Sequence, residues 1–349
     1  MNNKLRLVTM LLAIAALTSS AAAAPGKKGK KALKPEETIS GKINTVLWSN
    51  PIDIQQRNLF FGPGGKQNTP HTTFTFIKED LDGTSPKFVV RDQDGVKWKV
   101  KLGAEARPET VASRLVWAVG YSANEDYFMP VLHVENLPAR LHRGQDLVGP
   151  RGTFQNVRLK RYLKEEKKVG DWKWRSNPFS GTRELNGLRV MMALINNWDL
   201  KDQNNSVYDD SPSGPSVGGR RLIYMVSDLG ASFGSGGRGR TLARSKGNLK
   251  AYRRSKFIGK IRPEYVDFND PVKPPLVFFF NLPEFILKLQ MGWVCNHIPR
   301  ADARWIGHVL AQLSPEQVHD AFRAAGYSSE EVEGFSLVVE ARIAQLNKF

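Results

Sequence analysis

Asn197-Trp198-Asp199-Leu200-Lys201-Asp202-Gln203-Asn204-Asn205 follows directly on a segment with helical periodicity. In that segment, Thr182 to Asn196, residues Leu185, Leu188, Met191, Met192 and Ile195 recur at core-facing spacing. A polar loop rich in Asp and Asn at the end of a buried helix is a place where a scaffold displays chemistry. Downstream, Ser227-Asp228-Leu229-Gly230 closes an apolar strand that ends Leu222-Ile223-Tyr224-Met225-Val226. Upstream, Gly83-Thr84-Ser85-Pro86-Lys87 is a small-residue turn opening a strand. Val96-Lys97-Trp98-Lys99-Val100-Lys101-Leu102 alternates apolar with cationic side chains.

The secondary-structure signals sort into two regions. From Thr38 to Tyr162 the chain reads as strands, including Phe74–Ile77, Phe88–Arg91, Val96–Leu102 and Phe154–Tyr162, with Asp94-Gly95 as a tight hairpin turn. One helix interrupts them, Pro108 to Val119. Its proline is tolerated in a first turn and Gly120 is its stop. After a basic segment, Lys164 to Arg175, the region 163–349 reads as mostly helical, apart from two short strands, Ser206–Tyr208 and Leu222–Val226. The Ser/Gly/Pro-rich run Asp210–Gly219 reads as a hairpin insertion, where added length costs little. Ser314-Pro315-Glu316-Gln317 and Ser328-Ser329-Glu330-Glu331 both match the reciprocal capping box that starts a helix.

Phosphoryl transfer gives these residue types common work, since the protein's part is to position a nucleotide and neutralise charge. A strand lysine grips phosphate oxygens, a helix carboxylate holds that lysine extended, and hard oxygen ligands hold Mg²⁺. The ordered set resembles the protein kinases. Asp199-Leu200-Lys201-x-x-Asn204 resembles their catalytic loop, including its Asp-to-Asn interval of five residues, and Asp228-Leu229-Gly230 resembles their metal-binding Asp-Phe-Gly with Leu for Phe. The surrounding text is more similar to atypical members of the protein-kinase-like superfamily, such as the HipA-type serine kinases, the phosphoinositide kinases and the secreted kinases. The resemblance covers Thr84 to Gly230. Trp198 stands where these proteins usually carry Arg or His, and no Gly-x-Gly-x-x-Gly loop is present.

The resemblance implies an α+β, two-lobed fold, with a β-rich N-lobe carrying one helix (38–162) and a mostly helical C-lobe (163–349). It further implies Asp199 as catalytic base, Asn204 and Asp228 as magnesium ligands, and Lys101 with Glu109 as the phosphate-gripping pair. Gly83, Thr84, Ser85 and Lys87 fall beside the nucleotide, and Lys99 is the alternative to Lys101 because both share one strand face. The implied cofactors are ATP or another nucleotide and Mg²⁺. A nucleotide- or polyanion-binding pseudokinase and a non-enzymatic basic envelope-binding protein are the rival readings.

Composition bounds the rest. With 51 Lys+Arg against 34 Asp+Glu the chain carries a formal charge of +17, which suits an anionic acceptor or partner. The single cysteine, Cys295, excludes an intrachain disulfide and any Cys-cluster metal site, and reads as a buried small hydrophobe. Lys4 and Arg6, the apolar run Leu7–Leu17 and the small-residue stretch to Ala24-Pro25 have the order of a secretory signal peptide cleaved near Ala24. Residues 25–37, with Lys27-Lys28-Gly29-Lys30-Lys31, read as a basic linker. These features predict an exported bacterial protein, periplasmic or extracellular, with no transmembrane span in the mature chain. Its partners are a nucleotide and an anionic protein, small-molecule or envelope acceptor, and nucleic acid is disfavoured. Gly62-Pro63-Gly64-Gly65-Lys66 lacks the spacing of a phosphate-binding loop and reads as a surface turn. Trp172 and Trp174, interleaved with Lys173 and Arg175, read as half-buried on a solvated face, with stacking on a base or sugar as the alternative.

Overall fold

The computed structural model describes residues 43–163, 167–210, 219–236, 245–269 and 291–349. The expected signal peptide, the basic linker, residues 164–166 of the basic segment and most of the Ser/Gly/Pro insertion lie outside the described residues. In chain order the strands and helices are β1 (Ile43–Val46), β2 (Thr73–Glu79), β3 (Lys87–Asp92), β4 (Lys97–Lys101), α1 (Ala106–Ala118), β5 (Asp126–Glu135), β6 (Thr153–Arg161) and β7 (Lys167–Gly170). There follow α2 (Arg183–Leu194), β8 (Asn205–Asp209), β9 (Arg220–Val226), α3 (Leu249–Arg254), β10 (Ile258–Ile261), β11 (Tyr265–Phe268), β12 (Ile298–Pro299), α4 (Arg300–Leu310), α5 (Pro315–Arg323) and α6 (Ser329–Leu346). The protein is α+β, as the periodicities predict.

Alternation turns β2 to β6 into a closed five-stranded barrel in the order β2-β3-β4-β6-β5. Its pairs are antiparallel except β2 with β5, which run parallel and close it. Phe74, Phe88, Val90, Trp98, Val100, Leu132, Phe154, Val157 and Leu159 fill its own hydrophobic core, each contributing on the order of 1.5–3 kcal/mol by leaving water. The β3–β4 connection is the expected tight turn, with Gly95 at φ +80° and its N–H donating to the Asp92 carbonyl at 3.1 Å.

Helix α1 leaves the barrel and is buried on nearly every side. Val111, Ala112, Leu115 and Val116 join a second, larger core with α2, α4, α5 and α6. Gly120 ends α1 at φ +96°, where a Cβ would lie 2.3 Å from the Ser49 carbonyl oxygen. Only glycine satisfies both constraints. Both capping boxes form, at Ser314 with Gln317 and at Ser328 with Glu331. Cys295 is fully buried, as expected of a small hydrophobe.

Two findings differ from the sequence expectation. Strand β1 does not continue the barrel. It pairs in parallel with β9, giving a separate sheet in the order β1-β9-β8-β7, and Leu47, Ile54 and Leu59 after it pack into the larger core. Trp172 and Trp174 are not half-exposed. They are 4 % and 3 % exposed, meet edge to face at 4.9 Å, and belong to that same core. Trp172 Nε1 donates to the Met225 carbonyl at 3.0 Å, bracing the strand that leads to Asp228. Among the described residues no helix is long and apolar enough to cross a membrane.

Candidate active site

The loop that begins at Asn196 is set by how α2 stops. Ile195 caps the helix and Asn196 takes the left-handed conformation at φ +54°, which asparagine tolerates better than most residues. The Asn196 N–H returns to the Ala193 carbonyl (3.1 Å) and the Asn197 N–H to the Met192 carbonyl (2.9 Å), the paired hydrogen bonds of a Schellman stop. The Asn197 side chain then accepts from the Asp199 N–H at 2.9 Å, fixing the turn that presents Asp199. The Asp199 carboxylate is half-buried and lies 2.8 Å from Lys201 Nζ.

Asn204 joins this loop to the second one. Its side-chain amide donates to the Asp199 carbonyl at 2.7 Å, and its main-chain carbonyl accepts from the N–H groups of Ser227 and Asp228 at 2.8 and 3.3 Å. The Asn204 Oδ1 accepts no hydrogen bond among the described residues. Asp228 follows β9 at a fixed point because β8 and β9 pair from Asn205↔Val226 onward.

On the barrel side, Lys101 ends β4 and is 5 % exposed. Its ammonium lies 2.9 Å from Glu105, 2.8 Å from Glu109 and 3.1 Å from Asp228. Burial alone would lower that ammonium, but Glu109, Asp228 and Glu105 more than reverse it and hold it above the usual lysine range. Glu109, in the first turn of α1, is also 2.7 Å from Arg158, which in turn lies 3.3 Å from Asp126. Glu105 accepts from Ser85 Oγ at 2.9 Å and from the Lys246 ammonium as well. Burial pushes the Glu105 carboxyl up, and Lys101 and Lys246 override this to hold it down at about 2. Gly230 is required here, since a Cβ on it would stand 2.7 Å from the Glu105 Cβ.

The remaining predicted residues surround this centre unevenly. Lys99 is engaged by Asp80 at 2.7 Å, so of the two strand lysines it is Lys101 that reaches Asp228. Lys87 stands opposite Lys101 in the β3–β4 register. It is half-buried with no carboxylate at ion-pair distance among the described residues, and burial lowers its ammonium below the ordinary lysine range. Gly83 takes a left-handed turn at φ +66°, and the Leu81 and Gly83 carbonyls are both held by the Arg143 guanidinium. Thr84 is exposed.

Sequence reasoning gave no role to Arg158 or Asp126, and read Lys246 only as part of a basic stretch, Arg238 to Arg262, suited to an anionic partner. Arg158 and Asp126 carried no signal, because a cation and a carboxylate on two strands become partners only when β5 and β6 pair. The acidic residues Glu105, Glu109 and Asp228 lie close enough to share one cation. In this arrangement Lys101 sits among them, while the Asn204 Oδ1 and the half-exposed Asp228 carboxylate are hard oxygen donors of the kind Mg²⁺ takes. The donor set therefore fits a magnesium-bound phosphate.

No family model matches the chain, and no curated protein matches it. Among solved structures it is similar to the Helicobacter pylori proinflammatory kinase CtkA (TM-score 0.45, 11% identity, 80% of this chain and 98% of that one). It is also similar to the Golgi casein kinase (TM-score 0.36, 10% identity, 85% and 73%), and to that kinase with Mn/ADP bound (TM-score 0.37, 10% identity, 85% and 74%).

Proposed function

We propose that this chain is a phosphotransferase that binds a Mg²⁺-nucleotide between the barrel and the Asp199 and Asp228 loops, and passes a phosphoryl group to an anionic acceptor. The observation that carries the reading is the Lys101 ammonium. It is drawn by Glu109 of α1 and meets Asp228, a residue 127 positions away, at 3.1 Å. A buried lysine held by a helix carboxylate is pre-set to meet phosphate oxygens.

In this reading Lys101 binds phosphate oxygens and Glu109, backed by Arg158, keeps it extended. Asn204 and Asp228 hold Mg²⁺, which supplies charge neutralisation when bound. Asp199 accepts the proton of the acceptor hydroxyl and orients it, and Lys201 beside it adds positive charge where the transferred group passes. Lys87 and the Gly83–Ser85 turn cover the phosphates. Export rests on residues 1–24 and stands with the same proposal, as does the periplasmic or extracellular destination.

Any ligand that binds only the folded state raises its melting temperature. ATP with Mg²⁺ is expected to raise that of the wild type and to fail with Lys101→Met and Asp228→Asn. If no nucleotide shifts the wild type with any divalent ion, the reading falls. Binding without turnover would mark a pseudokinase.

A further inference from the structure

Glu105 collects donors from three stretches that are far apart in sequence. Ser85 comes from the turn between β2 and β3, Lys101 from the end of β4, and Lys246 from the segment beyond Asp228. Lys246 is firmly placed. Ser235 and Ser245 pair through two main-chain hydrogen bonds, at 3.1 and 2.9 Å. Gly247 N–H reaches the Ser232 carbonyl at 2.9 Å, and Asn248 N–H the Phe233 carbonyl at 2.7 Å. Trp198, the residue before Asp199, donates Nε1 to the Ser245 carbonyl at 3.1 Å, and its ring lies 5.5 Å beneath the Lys246 ammonium. Two ammonium groups and a hydroxyl aimed at one point are what a phosphate group requires.

Three carboxylates around Lys101 would repel a nucleotide's phosphates, so something must change when one binds. Glu109 is fully buried and tied to Arg158. Asp228 is anchored through its main chain to Asn204. Glu105 is different. It stands just outside α1, its side chain makes no capping hydrogen bond, and it follows Gly103, a left-handed glycine (φ +81°) with open space around it.

We propose that in the nucleotide-free protein the Glu105 carboxylate occupies the phosphate subsite, and that a nucleoside di- or triphosphate displaces it and takes over Ser85, Lys101 and Lys246 as its donors. This makes Lys246 a phosphate-binding residue and Trp198 its support. It rests on the phosphotransferase reading of the same site.

The test is the dissociation constant of ADP, measured calorimetrically with and without Mg²⁺, for the wild type, Glu105→Gln, Glu105→Asp, Lys246→Met and Ser85→Ala. Unfolding midpoints without nucleotide identify the variants that fold. Glu105→Gln keeps the side chain's shape and removes its charge, and is expected to tighten Mg²⁺-free ADP binding about tenfold, the effect of one lost like charge. Glu105→Asp, with the carboxylate withdrawn, is expected to tighten it less and decides the matter if the glutamine variant does not fold. Lys246→Met is expected to weaken binding about tenfold, and Ser85→Ala by a smaller factor. ADP binding that is unchanged or weaker in the Glu105 variants overturns the proposal, as does unchanged binding in Lys246→Met. Absence of ADP binding by the wild type and every variant would instead remove the phosphotransferase reading beneath it.

Discussion

The side-chain amide of Asn204 donates to the main-chain carbonyl of Asp199 at 2.7 Å, closing the five-residue interval between them into a single turn. Because Asn204 also accepts from the N–H groups of Ser227 and Asp228, one residue holds two loops together. A candidate base and a candidate metal ligand that are distant in sequence are therefore positioned by the same hydrogen-bonded unit.

Asn204→Ala should remove both the tether and a proposed Mg²⁺ ligand. The lost hydrogen bond is expected to cost about 1 kcal/mol of stability. The Mg²⁺ concentration needed for half-maximal nucleotide binding is expected to rise roughly tenfold or more. Chemical unfolding and a magnesium titration separate the two effects.

Arg158 lies between Glu109 and Asp126 with all three side chains buried. Arg158→Met should strip buried Asp126 of its guanidinium partner and leave Glu109 with Lys101 alone, and cost about 3–5 kcal/mol. Removing the exposed Arg221–Asp210 pair (3.0 Å) should cost under about 1 kcal/mol. Urea unfolding of both variants checks the contrast, and similar losses would refute it.

The pH dependence of stability should carry the mark of Glu105. Its carboxyl is held at about 2 in the fold against an ordinary value of 4.5. The unfolded chain therefore binds the proton first as pH falls, and the stability due to this group is lost between about pH 4.5 and pH 2. Wild type is expected to exceed Glu105→Gln in stability at pH 6, with the gap shrinking steadily toward pH 2. A gap independent of pH would contradict the charge assignment.

Trp172→Ala should destabilise the protein by about 3–5 kcal/mol, as the loss of a large buried aromatic does. It should do so whether or not nucleotide is present, since Trp172 packs against Trp174 inside the core. Nucleotide affinity that drops while stability holds would place it at a ligand instead.

Local signals were the legible ones. The alternation in Val96–Leu102, the helical spacing in Thr182–Asn196, the two capping boxes and the Asp94-Gly95 turn all have short-range causes and appear where the sequence puts them. The loop residues Asp199, Asn204 and Asp228 stood out because Asp and Asn after regular elements are chemically conspicuous. Long-range placement was hidden. Nothing local says that β1 joins β9, that Lys246 returns to Glu105, or that Arg158 lies beneath Glu109. The cationic dress of Trp172 and Trp174 likewise pointed to a surface, although the rings turn inward.

The most direct measurement is phosphoryl transfer itself: label incorporated from γ-labelled ATP with Mg²⁺ into the protein or an anionic acceptor, by wild type and by Asp199→Ala. A general base contributes about 10²–10⁴-fold, so the wild type is expected to incorporate label and the variant to fall by at least roughly 100-fold while still binding Mg²⁺-ATP. Equal incorporation by the two, or none by the wild type, would contradict the account.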